Sequence, residues 1–275
     1  MGISLRHHVL SLVAIFLMLL VGLLVGVGLS SQPELTARID DLTSEFQKLM
    51  GEIHGLERDA ATQEDFALAA MPRLVGHKLD GKQIPLIVTA RGPVNRVAAD
   101  VTKALETAGA EVPYRLVVRS DLPERAARGR GQEAGASDLL VLAAGRIAAA
   151  VAAGDATALR GLEKGRLIQL AGRPTNAAPS GVVVLGGSTQ PPVEGGIDLQ
   201  RPIVEALLAA GVRAVVGCEP RTLPLPNDTY RDLEISAVDN VNLVRGQVSL
   251  VLALAGKPGR YGDGPTAEQE FAPLE

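Results

Sequence analysis

Few residues in this sequence are placed to do chemistry. Gly187-Ser188-Thr189 follows Gly181 to Gly187 (GVVVLGG), a buried-strand pattern, and a turn in that place can carry a nucleophile or hold a phosphate. The histidines are His7, His8, His54 and His77, so only His77 lies beyond the first sixty residues, in a linker-like stretch. A Ser/His/Asp arrangement would need that one imidazole to fold back over the sheet. Asp198 and Asp239 offer carboxylates, but each serves equally as a helix cap or turn residue. No GxSxG elbow, GxxxxGK(S/T) loop or HExxH helix occurs. The expectation is a protein that is not an enzyme, with no catalytic and no cofactor-binding residue.

Metal chemistry has as little to draw on. One cysteine, Cys218, excludes an intramolecular disulfide and a Cys-based zinc or iron–sulfur site within one chain. It closes a short strand and reads as a quiet, partly buried thiol. His54, Met50 and Met71 are soft or borderline donors, yet their spacings build no cluster, and surface or seam roles are expected for them. More specific is Ser236-Ala237-Val238-Asp239-Asn240-Val241-Asn242, leading into Gly246-Gln247. Asp239 or Asn240 can cap the helix that follows by accepting a backbone N–H, and Gln247, one turn in, can bond to a neighbouring loop. A structural, capping role is the preferred reading of Ser236, Asp239, Asn240, Gly246 and Gln247; a ligand or partner site is the alternative.

These residues belong to a chain of 275, of which 47% are hydrophobic and only 3% aromatic. So few aromatics argue against a transmembrane β-barrel with its girdles and against stacking platforms for single-stranded nucleic acid. Twenty-seven basic against 31 acidic residues leave a net charge of −4, and no nucleic-acid partner is expected. Val9 to Leu29 is an uncharged run that, as a helix, matches the roughly 30 Å core of a bilayer. Arg6 precedes it, which predicts a single-pass anchor with the N-terminus cytoplasmic and the remainder extracytoplasmic. A cleaved leader is the rival, with Gly28-Leu29-Ser30 as a small-x-small site. Gly22 and Gly26 add a weak GxxxG pairing signal.

Past that run a heptad begins. Leu35, Leu42, Leu49 and Leu56 take position d, and Ile39, Phe46 and Ile53 take position a. Residues 31–71 carry nine acidic and three basic groups. A coiled-coil stalk over 31–71, broken at Pro72 and Gly76, predicts a homodimer or higher homo-oligomer through membrane helix and stalk; the alternative is one helix packed on its own domain.

The rest reads as α/β. Strands are expected at Gln83–Thr89, Val112–Val118, Gly181–Gly187 and Ala214–Gly217, with a further one at Arg166–Leu170. Helices are expected at Val94–Ala108, Ser137–Ala153, Thr157–Glu163, Ile203–Ala210 and from Val241 or Leu243 to Ala255. The turn Arg91-Gly92-Pro93 is not GxGxxG, so a dinucleotide site has little support. Arg125, Arg128 and Arg130 form a small basic stretch, and Pro191-Pro192, Pro224 and Pro226 mark loops. The fold expected is a three-layer α/β domain with a mostly parallel sheet over 72–261, followed by an acidic, frayed tail at 262–275.

The two ends of the sequence resemble a known family. Ile3-Ser4-Leu5-Arg6-His7-His8 with Leu10 to Leu17, the Ser236–Asn242 segment, Gly246-Gln247, and Gly259-Arg260-Tyr261-Gly262 are similar, in order and spacing, to the actinobacterial MctB-like copper transport proteins. Ala237 and Asn242 depart from the family's Thr and Asp. The resemblance implies copper efflux or homeostasis, copper as the species handled, and an outer-membrane location as the alternative to the cell membrane. It brings no set of copper ligands. The expectation is therefore a membrane-anchored envelope protein of copper handling; the alternative is a non-enzymatic envelope scaffold that binds a partner protein and carries a coiled-coil stalk.

Overall fold

The computed structural model describes residues 11–22, 33–89, 95–118, 136–187, 199–221 and 229–274. Seven helices are described: α1 at residues 11–22, α2 Pro33–Val75, α3 Asn95–Thr107, α4 Ala136–Ala152, α5 Ala156–Lys164, α6 Gln200–Ala209 and α7 Val244–Leu254. The strands are β1 Leu86–Val88, β2 Tyr114–Val118, β3 Ile168–Gly172, β4 Val182–Leu185, β5 Val215–Cys218, β6 Ser236–Val238 and β7 Arg260–Tyr261. The turn at 91–93, the Arg125–Arg130 stretch, Ser188, Thr189, Pro191, Pro192, Asp198, Pro224 and Pro226 lie outside the described residues.

Two compact units divide the chain, Met1–Thr62 and Gln63–Glu275. The first holds α1 and most of α2. The apolar run expected to span a membrane is described only as α1; residues 9, 10 and 23–29 lie outside the description. A helix that crosses a hydrocarbon core of roughly 30 Å takes about 20 apolar residues. The 43-residue α2 is long enough, but acidic and basic residues recur along it. Among the described residues, no helix is long and apolar enough to cross a membrane. This corrects the single-pass anchor, the sidedness and localisation built on it, and assembly through a membrane helix. The heptad positions from Leu42 to Leu56 do fall on one continuous helix, and their side chains are exposed.

In the second unit seven strands form one sheet in the order β3-β2-β1-β4-β5-β6-β7. Strand β1 sits between β2 and β4 and runs parallel to both, and β4–β5, β5–β6 and β6–β7 are parallel too. β3 is antiparallel to β2, with Tyr114 opposite Gly172 and Val118 opposite Ile168. The sheet is thus mixed, correcting the expectation of a mostly parallel one. The cause is the connection: one crossover helix returns the chain for a parallel strand, whereas α4 and α5 together carry it back once more, so β3 enters reversed.

Strands β1, β4 and β5 are buried along their whole length, as strands without a polar side chain require: LIV, VVVL and VVGC. Helices α3 and α7 and the end of α2 (Met71, Val75) cover one face, against Leu86, Val88, Val183, Leu185 and Val216. Helices α4, α5 and α6 cover the other, against Ile87, Leu116, Val182, Val184 and Val215. The tail expected to fray is docked: the Ala272 N–H donates to Ser249 Oγ at 3.0 Å and Ala272 is buried.

Helix α7 starts without a cap of its own. Leu243 holds the N-cap position and makes no side-chain bond there. A carboxylate from α2 supplies it instead, since Glu64 Oε1 accepts the Val244 N–H at 2.6 Å. A carboxylate at a helix N-terminus also meets the positive end of the helix dipole. Glu64→Ala should therefore destabilise this unit by about 1 kcal/mol in chemical denaturation, whereas Glu57→Ala, on the exposed part of α2, should leave the midpoint unchanged.

Candidate functional site

The segment singled out in the sequence is strand β6 and the loop leading into α7. β6 pairs with β7, Ala237 opposite Arg260 and Val238 opposite Tyr261, so the two C-terminal motifs are neighbours in the sheet. Ser236 Oγ accepts the Gly259 N–H at 3.3 Å, and the Asp239 N–H donates to the Tyr261 carbonyl at 3.1 Å. Beyond the strand, the Asp239 carboxylate accepts two backbone N–H groups, from Asp263 at 2.8 Å and from Gly264 at 2.6 Å. Gly262 turns here at φ +142°, a conformation suited to glycine, and a Cβ on it would overlap the Asp239 carboxylate.

Neither expected cap of α7 forms. Asp239 is committed to the 263–264 turn, and Asn240 offers its backbone carbonyl to the Leu243 N–H at 2.9 Å. The Asn240 side chain is completely buried, and among the described residues neither of its amide atoms has a partner. Its role is steric: Gly246, in the first turn of α7, lies so close that a Cβ there would overlap the Asn240 carbonyl and side-chain oxygen. Gln247 does bond to a loop, the one before its own helix, donating from Nε2 to the Val241 carbonyl at 3.2 Å. Ser236, Asp239, Asn240, Gly246 and Gln247 are thus gathered into one joint that fixes β6, α7 and the C-terminal segment together.

Three features of this region carry no sequence signal. Arg260 extends from β7 to donate through Nη2 to the carbonyls of Tyr230 (2.7 Å), Leu233 (3.1 Å) and Arg231. Asp263 lies between Arg245 Nη2, which reaches both carboxylate oxygens at 2.9 and 2.7 Å, and Arg221 Nε at 3.3 Å. At the carboxyl ends of β4 and β5, the Gln200 amide nitrogen faces the Tyr230 hydroxyl at 2.8 Å and the buried Glu219 carboxylate at 2.6 Å, with the amide oxygen toward the Gly187 N–H. None of these partners is close in sequence, so periodicity and local motifs do not reveal them.

A cavity of about 30 Å³ opens beside the joint, lined in part by Glu219, Tyr230, Asp239, Arg260, Tyr261 and Thr266. It has room for water-sized groups. Cys218, completely buried, has its thiol pushed up by burial and further by the Glu219 charge, which disfavours the thiolate. His77 is exposed, and its Nδ1 lies 3.0 Å from Asp80 Oδ2. Among the described residues no group of three His, Cys, Asp or Glu is placed to hold a metal ion. What the arrangement does chemically is hold backbone: its carboxylates accept N–H groups and its guanidinium caps carbonyls.

A sheet of this order with helices on both faces, closed by a β6–β7 joint, defines an α/β protein of the doubly wound kind. The chain belongs to the MctB family: the model described as "Copper transport outer membrane protein, MctB" matches residues 2–272. No curated protein matches the chain.

Two substitutions test the joint. Gly246→Ala should cost about 1–3 kcal/mol, since the methyl meets backbone that has nowhere to move. Asp239→Ala should cost about 2–3 kcal/mol and open residues 262–274 to limited proteolysis before the rest of the unit unfolds.

Proposed function

We propose that this MctB-family chain is a non-enzymatic scaffold, a partner-binding protein whose stalk docks another helix in coiled-coil fashion. The observation that carries this is the bare seam on α2: Leu42, Phe46, Leu49, Ile53 and Leu56 are 65, 63, 56, 47 and 69% exposed. Large apolar side chains repeating on one helical stripe mark a surface made for covering, and each Leu or Phe buried by a partner returns about 1.5–3 kcal/mol. The absence of catalysis is part of the same reading. Its support is that Asp239, Glu219, Gln200 and Arg260 are each engaged in holding a loop or strand end.

Copper transport, which the family description names, is not part of this reading. Cys218 and Met71 lie in the hydrophobic core, Met50 stands beside the seam and His54 at an outward position, and among the described residues no three His, Cys, Asp or Glu side chains form a group that could hold a metal ion.

The test is binding of a synthetic three-heptad helical peptide with Ile at a, Leu at d and Gln at every flanking e and g position to the full chain. Micromolar binding is expected, lost in the Leu42→Asp/Leu49→Asp double variant while the unfolding midpoint of the α/β unit stays put. No binding by the unaltered chain, or equal binding by the double variant, overturns the proposal.

A further inference from the structure

The seam also carries information about what covers it. The heptad that sets Leu42, Leu49 and Leu56 at d and Phe46 and Ile53 at a places Glu45, Glu52 and Asp59 at g, and Thr43, Met50 and Glu57 at e. All four acidic residues are exposed. The flanks of the seam thus present four carboxylates and no cation over residues 42–59. Lys48 and Arg58 lie on the same stretch but at outward positions c and f.

A second copy of the helix meets this pattern badly. In a parallel pair, g of one heptad faces e of the next on the other helix, which sets Glu52 against Glu57 and leaves Glu45 opposite Met50. In the antiparallel pair that joins Phe46 to Leu49 and Ile53 to Leu42, g faces g, and Glu45 meets Glu52. Both arrangements bring like charges together beside the apolar seam, and neither supplies a compensating cation there. Flanking charges of this kind select a partner by repulsion as much as by attraction.

Resting on the docking reading above, we infer that the seam from Leu42 to Asp59 takes an amphipathic helix of another polypeptide whose own e and g positions are basic. Lys or Arg stems there extend over the seam edge and pair with Glu45, Glu52, Glu57 and Asp59, while Ile or Leu residues fill the stripe between Leu42 and Leu56. Partner choice is then set by charge and strength by the apolar seam.

The experiment compares two three-heptad peptides with the same Ile/Leu seam, one with Lys and one with Glu at every e and g position, titrated against the full chain. The Lys peptide should bind at least about tenfold more tightly, with the difference shrinking as salt rises. Reversing the chain's charges, Glu45→Lys, Glu52→Lys and Asp59→Lys together, should invert the preference without moving the unfolding midpoint of the α/β unit. Equal affinity for both peptides overturns the charge inference and leaves the docking reading standing. A dimer of the chain alone, broken by Leu49→Asp and closed to the Lys peptide, overturns it as well. Failure of all three peptides, the Lys-, Glu- and Gln-flanked ones, to bind removes both.

Discussion

A sheet whose central strands are apolar on both faces must be roofed twice, and that requirement shapes the second unit. Strands β1, β4 and β5 expose nothing, so each face of the sheet needs helices carrying a matching stripe. One face is covered by α4, α5 and α6. On the other, α3 and α7 share the work with the last turns of α2, where Met71 and Val75 are buried. The long helix is therefore not an appendage to this unit: its final part completes the core. A single helix serves two environments, bare along Leu42–Leu56 and sealed from Met71 onward.

That dependence explains where polar groups have been placed. Helix α7 covers the sheet only if its first turn is held against the end of β6, and three devices hold it. Glu64 caps Val244, Gly246 allows backbone to approach Asn240, and Gln247 ties back to Val241. Asp239, one residue earlier, fastens the 263–264 turn, from which Asp263 reaches back to Arg245 on α7. Asn240 is completely buried and among the described residues neither of its amide atoms has a partner, an arrangement that costs about 1–3 kcal/mol. Its backbone carbonyl and its place beneath Gly246 give it a part in the joint that an exposed residue cannot play.

Legibility in the sequence followed local order. Short strands rich in Val and Leu, such as β2, β4 and β5, show at once, and so do amphipathic helices such as α3 and α5. Strands β6 and β7 do not, because three and two residues are too few for a period. The five motif residues meet where β6 leads into α7, but the cap of α7 expected from Asp239 or Asn240 comes from Glu64, 180 residues from the N–H it accepts. Spacing within a segment cannot reveal such a partner. The two helices before β3 and the strand itself are legible, but its reversed direction is not, because strand composition is the same either way. The expected membrane span rests on uncharged length, and among the described residues no helix is long and apolar enough to cross a membrane.

The family description and the chemistry of this chain part at the thiol. Soft copper is held by thiolate or thioether donors that can be reached and, for a thiolate, deprotonated. Cys218 is completely buried between the sheet and its roof, and burial together with the neighbouring Glu219 charge drives its thiol away from ionisation. Bringing a cation to it would mean parting β5 from its covering helices, against the hydrophobic contacts on which the unit stands. Met71 is locked in the same core by the packing that anchors the end of α2. Among the described residues, what α2 leaves at the surface has a different pattern: Leu42, Phe46, Leu49, Ile53 and Leu56 are exposed on one stripe, and Glu45, Glu52, Glu57 and Asp59 flank it.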